Sequence, residues 1–230
     1  MFKVSPTIHV IIDVFRAFST ATSIIQAQPQ AYILTNSSVY VRQLMAACAS
    51  AILVGKPEKG STLRYTIPNS PTLASRLTLA GRLVLHRTTA GATGVLAARD
   101  AAIVLCVGFN NLQATVDYIQ SFQEAELVIH PMGHEANTAT LEDDLCAMYL
   151  AKLLQQSGVN IHLPITQLQA EAGQYFFQHH PEYPQEDFAR CLQINSHNFA
   201  IIAEVKEVYA YLRPDVAESG LTEPIDCTPL

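Results

Sequence analysis

Up to about residue 156 the chain alternates short β-branched runs with segments of helical composition, and no other feature of the sequence narrows the fold as much. Strand-like runs fall at residues 8–13, 31–34, 51–54, 82–86, 102–107 and 126–130. Helix-like segments follow at 17–28, 39–49, 92–99, 112–122 and 141–156. Ser70-Pro71, an N-cap followed by proline at the first helical position, opens another helix to about Ala80. Residues 56–69 between them are rich in Lys, Gly, Ser, Thr and Pro and read as a loop. Repeated β-then-α units imply a mainly parallel sheet with helices on both faces, an α/β protein. Later segments read differently: helix at 167–179, a break at Pro181 and Pro184, helix from about Glu186, and a strand at 207–212. The expected organisation is one α/β domain over 1–213 with a helical C-terminal layer, a sub-boundary near Gly158 being the other division, and a mobile or wrapping tail over 214–230. No fixed-period repeat or low-complexity segment is evident.

Such a sheet needs a core, and 49% apolar residues supply one, which excludes a disordered chain. Lys and Arg number 14 against 20 Asp and Glu, a net charge of −6, so no basic excess exists to neutralise nucleic-acid phosphates. The longest apolar run, at 101–109, is about half a bilayer span, and no membrane segment is expected. Residues 8–14 are a short apolar run broken by Asp13 with no small-residue cleavage site close behind, so no secretory leader is expected. Five cysteines, Cys48, Cys106, Cys146, Cys191 and Cys227, form no CxxC pair; a reduced, cytoplasmic protein is expected. Only 15% of residues are charged, which is compatible with a self-associating apolar face and a homo-oligomer, although no segment locates one.

In open α/β sheets ligands bind beyond the carboxyl ends of the strands. The first strand ends in Asp13-Val14-Phe15-Arg16. Asp13 is a candidate metal ligand, base or nucleophile and Arg16 a candidate oxyanion clamp; the structural alternative is an ion pair between the two. Phe15 stands where phospho-aspartate enzymes of one large class need a second Asp. The strand at 82–86 runs into Arg87-Thr88-Thr89-Ala90-Gly91, a turn whose backbone N–H groups, guanidinium and hydroxyls suit an anion. Asn69 and Ser70 either bind a ligand or cap the next helix. Glu142, Asp143 and Asp144 head a helix that is otherwise largely apolar; they complement its dipole, or turn into a crevice where Glu142 or Asp143 holds a hard cation such as Mg²⁺.

Other patterns lack an essential residue. Residues 55–62 have P-loop glycine spacing, but Ser61 replaces the lysine. His134-Glu135 begins like a zinc-protease helix, but Thr138 replaces the second histidine.

Five segments taken in order, IIDVFRAFST (11–20), GKPEKG with NSP (55–60 and 69–71), HRTTAGATGV (86–95), VGFNNLQAT (107–115) and LEDDLCAMYLAKLL (141–154), resemble the 2-phosphosulfolactate phosphatase family of Mg²⁺-dependent enzymes. The resemblance covers residues 8–156 and extends loosely to about 205. It implies a three-layer α/β/α fold and hydrolysis of a small anionic phosphate ester of an acidic hydroxy acid. It places Asp13, Arg16, Asn69, Ser70, Arg87, Thr88, Thr89, Gly91, Glu142 and Asp143 in one polar pocket, with Mg²⁺ on Asp13 and the 142–143 pair. Three positions depart from the family pattern: Lys56 stands where an acid is usual, Thr66 where an Asp is usual, and Phe18 where a small hydroxyl residue is usual. Glu58 is the one nearby acid that would substitute. A loop that has lost two carboxylates leaves a second class of function open, a non-catalytic anion-binding or regulatory protein on the same fold.

Overall fold

The computed structural model describes residues 5–57 and 60–215. The first two β–α units are strand β1 (Thr7–Ile12) with helix α1 (Ala17–Gln26) and β2 (Ala31–Thr35) with α2 (Ser38–Ala47). Strand β3 (Ile52–Gly55) leads through the polar loop to a single helical turn, α3 (Pro71–Ala74), and then β4 (Leu83–Arg87) to α4 (Ala90–Ala97). Strand β5 (Ile103–Val107) precedes α5 (Leu112–Gln120), and β6 (Glu126–Pro131) precedes α6 (Leu141–Gln155). The remainder holds α7 (Ile165–Ala170), α8 (Gln185–Cys191) and a hairpin of β7 (Ile201–Val205) and β8 (Ala210–Pro214).

Among the described residues these strands form one sheet in the order β3-β4-β2-β8-β7-β5-β1-β6. Strand β1 pairs in parallel with β5 and β6, and β4 in parallel with β2 and β3. The C-terminal hairpin lies between these two groups and is antiparallel to both. Sense therefore reverses at β5–β7, at β7–β8 and at β8–β2, and the two parallel groups run in opposite directions.

Side chains alternate across this sheet with the period of a strand. Ile11 of β1, Tyr32 and Leu34 of β2, and Ile201 and Leu212 of the hairpin face Phe18, Ala21 and Ile24 of α1 and Ala92 and Val95 of α4. Ile8, Val10 and Ile12 face the other way, onto Val116 of α5 and Cys146 and Leu150 of α6. Ile33, Leu53 and Leu85 meet Tyr40, Val41 and Leu44 of α2 on that second side. The result is helices on both faces of a sheet, the α/β architecture the alternation predicts.

Three expectations differ in detail. Helix α3 stops at Ala74 instead of reaching Ala80: the Arg76 and Leu77 N–H groups close three-residue turns onto Leu73 and Ala74, and Ala80 bridges Pro29. The helix expected over 167–179 breaks after Ala170, where Gly173 packs against the Phe188 ring and the Leu168 carbonyl, and resumes only as a 3₁₀ turn at Gln174–Phe177. The strand expected at 207–212 is half turn and half strand, and its partner β7 was not anticipated.

Cys106, Cys146 and Cys191 are buried free thiols; Cys227, Glu58 and the tail beyond Asp215 lie outside the described residues. No helix among the described residues is long and apolar enough to cross a membrane.

Candidate active site

Strand β1 leaves the sheet at Asp13, which is 5% exposed. Its Oδ1 accepts from the Ala17 N–H at 3.0 Å, in the first turn of α1, and its Oδ2 accepts from the Gly91 N–H at 2.8 Å, in the first turn of α4. Helix α4 makes this possible by lying across β1, β2, β5 and β7, so the turn after β4 reaches the end of β1 although the two strands belong to opposed groups. The approach is close: a Cβ on Gly91 would stand 2.9 Å from Asp13 Oδ2 and 3.0 Å from Phe18 Cζ. A glycine at 91 is thus required by contact, not by backbone angle.

Asp143 repeats the arrangement from the head of α6. Its Oδ1 accepts from the Val14 N–H and its Oδ2 from the Gly133 N–H, both at 2.8 Å. The two carboxylates are thereby held around the end of β1, with the N-terminal turns of α1, α4 and α6 brought together. Burial pushes the Asp13 carboxyl up, against the Ala17 and Gly91 N–H groups and the Arg16 charge. Burial also pushes Asp143 well above the usual carboxylate range, and the charges of Asp13 and Glu142 push it further. Glu142, 4% exposed, is raised to about 7, first by burial and then by Asp13 and Asp144. Its Oε2 and the Thr140 hydroxyl are both buried, and the hydroxyl works against the rise. The Asp13 charge thus raises both Glu142 and Asp143.

Arg16 does not pair with Asp13. Its Nη1 donates to Asp187 Oδ2 at 2.8 Å and to the Glu182 carbonyl at 2.7 Å. The guanidinium also lies over the Tyr183 ring, 4.4 Å from its centroid. Asp187, fully buried on α8, accepts from the Ser70 hydroxyl at 2.8 Å and the Thr72 N–H at 3.0 Å through its other oxygen. Ser70 accepts in turn from the Leu73 N–H at 3.1 Å, so its hydroxyl is committed as a cap and as a tie to α8. Asn69 directs Oδ1 to His86 Nε2 at 3.1 Å, and His86 Nδ1 lies 2.6 Å from the Tyr32 hydroxyl.

The other predicted residues spread out. Arg87 Nη1 donates to the Lys56 carbonyl at 2.8 Å, toward the β3 side of the sheet. Thr88 is largely buried, its N–H bonded to the Thr35 carbonyl, and Thr89 is exposed. Thr66 Oγ1 accepts from the Leu53 N–H at 3.3 Å, pinning its loop to β3. A cavity of about 320 Å³ lies elsewhere, lined by Ser19, Ala27, Pro71, Asn110, Arg190 and His197 among others and by none of the predicted site residues.

Sequence reasoning missed Asp187, His86 and Tyr32. Asp187 reads as an ordinary first-turn acid, and His86 and Tyr32 read as strand filler; only fully buried polarity, which the sequence does not print, marks them.

The sequence profile of the 2-phosphosulpholactate phosphatase family matches residues 2–206. The chain belongs to that family. It is 23% identical over 195 residues to a probable 2-phosphosulfolactate phosphatase of Bacillus subtilis, covering 80% of this chain and 81% of that one. A protein of the same description from Synechocystis is 26% identical over 160 residues, with 67% of this chain and 65% of the relative covered. One from Thermus thermophilus is 30% identical over 154 residues, with 65% and 62% covered. Family members are named as phosphatases, hydrolases of phosphate monoesters, and the matched span contains both tethered carboxylates and the Arg16–Asp187 pair.

The family resemblance implies a magnesium ion. Among the described residues no group of three or more His, Cys, Asp or Glu side chains is placed to hold a metal alone. Mg²⁺ does not require one: it keeps several waters and binds through one or two carboxylates plus substrate phosphate. Three buried acids, Asp13, Glu142 and Asp143, with the Asp13 charge raising the other two, are the groups that would meet such an ion.

Proposed function

We propose that this protein is a Mg²⁺-assisted phosphatase acting on the phosphate monoester of a small acidic hydroxy acid, of the 2-phosphosulfolactate type. The observation that carries the reading is the pair Asp13 and Asp143, two buried carboxylates each fixed by two backbone N–H groups where three helix N-termini meet. Burial raises both, so the cluster is relieved by a cation or by protons. The helix ends favour a phosphate group in the same place.

Hydrolysis breaks the ester P–O bond, forms a P–O bond to water and returns one proton to the leaving alkoxide. Bound Mg²⁺ would supply Lewis-acid stabilisation of the phosphoryl oxygens. Asp13 and one carboxylate of the 142–143 pair would hold it. Glu142, raised to about 7 by burial in the metal-free protein, would serve as the proton carrier if Asp143 is the carboxylate on the metal. Arg16, clamped by Asp187, contributes a fixed positive charge felt at Asp13.

Hydrolysis of an aryl phosphate and of phospholactate, with Mg²⁺ and with chelator, tests this. Mg²⁺-dependent turnover lost at least a hundred-fold in Asp13→Asn is expected. Binding of inorganic phosphate without turnover of either substrate would instead favour the non-catalytic anion binder that Lys56 and Thr66 suggest.

A further inference from the structure

Tyr32 and His86 lie within the sheet, on the paired strands β2 and β4, at 1% and 0% exposure. Their rings are nearly parallel, at 15°, and the Tyr32 hydroxyl is 2.6 Å from His86 Nδ1. Burial pushes the Tyr32 hydroxyl upward, so it keeps its proton, and pushes His86 down to about 3, so its ring is neutral. A neutral imidazole has one donor nitrogen and one acceptor nitrogen. Tyr32 has no hydrogen-bond partner besides His86 among the described residues, so its O–H donates to Nδ1. The ring proton must then reside on Nε2, where it is donated to Asn69 Oδ1 at 3.1 Å. With its oxygen turned to the ring, Asn69 presents its NH₂ group on the side away from His86. Asn69 directly precedes Ser70, which is tied to the Asp187 that holds Arg16, and the Arg16 charge is itself felt at His86.

We infer that Tyr32 and His86 are positioning residues that lock the Asn69 amide with its NH₂ toward the ligand, making Asn69 a donor only and selecting an acceptor-only oxyanion such as a phosphate monoester. This rests on the reading of Asn69 as a ligand-binding residue in the proposed phosphatase. Removing the tyrosine hydroxyl frees the histidine to move its proton to Nδ1. Nε2 then becomes an acceptor, and the amide can rotate to offer NH₂ to the ring and its oxygen to the ligand, where it repels phosphate.

The test measures inorganic phosphate affinity by calorimetry, and KM and kcat on an aryl phosphate, for wild type, Tyr32→Phe, Asn69→Ala and the double variant. Tyr32→Phe should weaken phosphate binding and raise KM by about ten-fold with kcat within about two-fold, as expected for one lost bond to a charged group. The double variant should be no worse than Asn69→Ala alone, because the tyrosine acts only through the amide. Nitrogen NMR of histidine-labelled protein, with His86 assigned by its absence in His86→Gln, should place the ring proton on Nε2 in wild type. The inference is overturned if Tyr32→Phe, folded by its thermal transition, binds phosphate as wild type does. It is also overturned if the losses of the two single variants add in full, or if the ring proton is on Nδ1. Wild type that neither binds phosphate nor turns over substrate fails earlier, at the proposed function itself.

Discussion

Glu142 and His86 titrate in opposite senses, and their difference is measurable in the stability of the metal-free protein. Glu142 is raised from 4.5 to about 7, so the folded state keeps a proton that the unfolded chain releases. Its contribution is fully present below pH 4.5 and is lost as pH rises through about 7, a change of roughly 3 kcal/mol. His86, lowered from 6.5 to about 3, does the reverse: the unfolded chain takes a proton below pH 6.5 that the folded state refuses, so stability falls on acidification. Between pH 4.5 and 6.5 the two slopes oppose each other. Glu142→Gln leaves the histidine slope alone. Urea unfolding in chelator from pH 4.5 to 8 should therefore show the variant gaining on wild type with rising pH, by roughly 3 kcal/mol at pH 8. Mg²⁺ at pH 8 should recover part of that gap in wild type by relieving the same buried charge. A constant difference across the range would mean that Glu142 is not titrating as its burial demands.

Elements, unlike residues, were largely legible. The strands and helices through α6 were readable because β-branched runs and helical segments differ in period and composition, and Ser70-Pro71 announced a helix start that the structure contains. The acid cluster was readable because Glu142 and Asp143 head an apolar helix, which leaves a charged end facing inward. The Arg16–Asp187 pair was not, since its members are separated by most of the chain and an acid in the first turn of α8 is equally explained by the helix dipole. Yet this pair ties α1 to α3 and α8, with Ser70 and the Thr72 N–H sharing the carboxylate. Asp187→Ala leaves a guanidinium that is 7% exposed without its ion pair, together with an orphaned hydroxyl and N–H. Loss of about 3–5 kcal/mol is expected in urea unfolding, because removing one partner of a buried pair strands the other charge. Replacing both members, as Arg16→Met with Asp187→Leu, should cost less than the single change. If the double replacement costs as much, the energy lies in packing and not in the stranded charge.

For the whole molecule the decisive feature is the hairpin, and here sequence reading ran out. Residues 201–203 are a short apolar run that periodicity cannot assign to strand or helix, and nothing local says that a C-terminal hairpin enters the middle of a sheet built from earlier strands. Its place has a thermodynamic consequence. Strands β2 and β5 do not touch; each has one inner edge, and the hairpin satisfies both. Ile201, Ala203, Ala210 and Leu212 also complete the core shared by α1 and α4, the two helices that hold Asp13. Without the hairpin each group would keep an unpaired edge beside exposed apolar surface, a template for aggregation. A chain ended at Asn198 should therefore lose its cooperative thermal transition and aggregate, although all of β1–β6 remain. Ile202→Pro, at a residue whose strand is paired on both sides, should do the same within the full chain, because proline cannot donate to a central ladder. Circular dichroism melts with light scattering decide it. A shortened chain that still melts in one sharp transition would show that the part before the hairpin folds by itself.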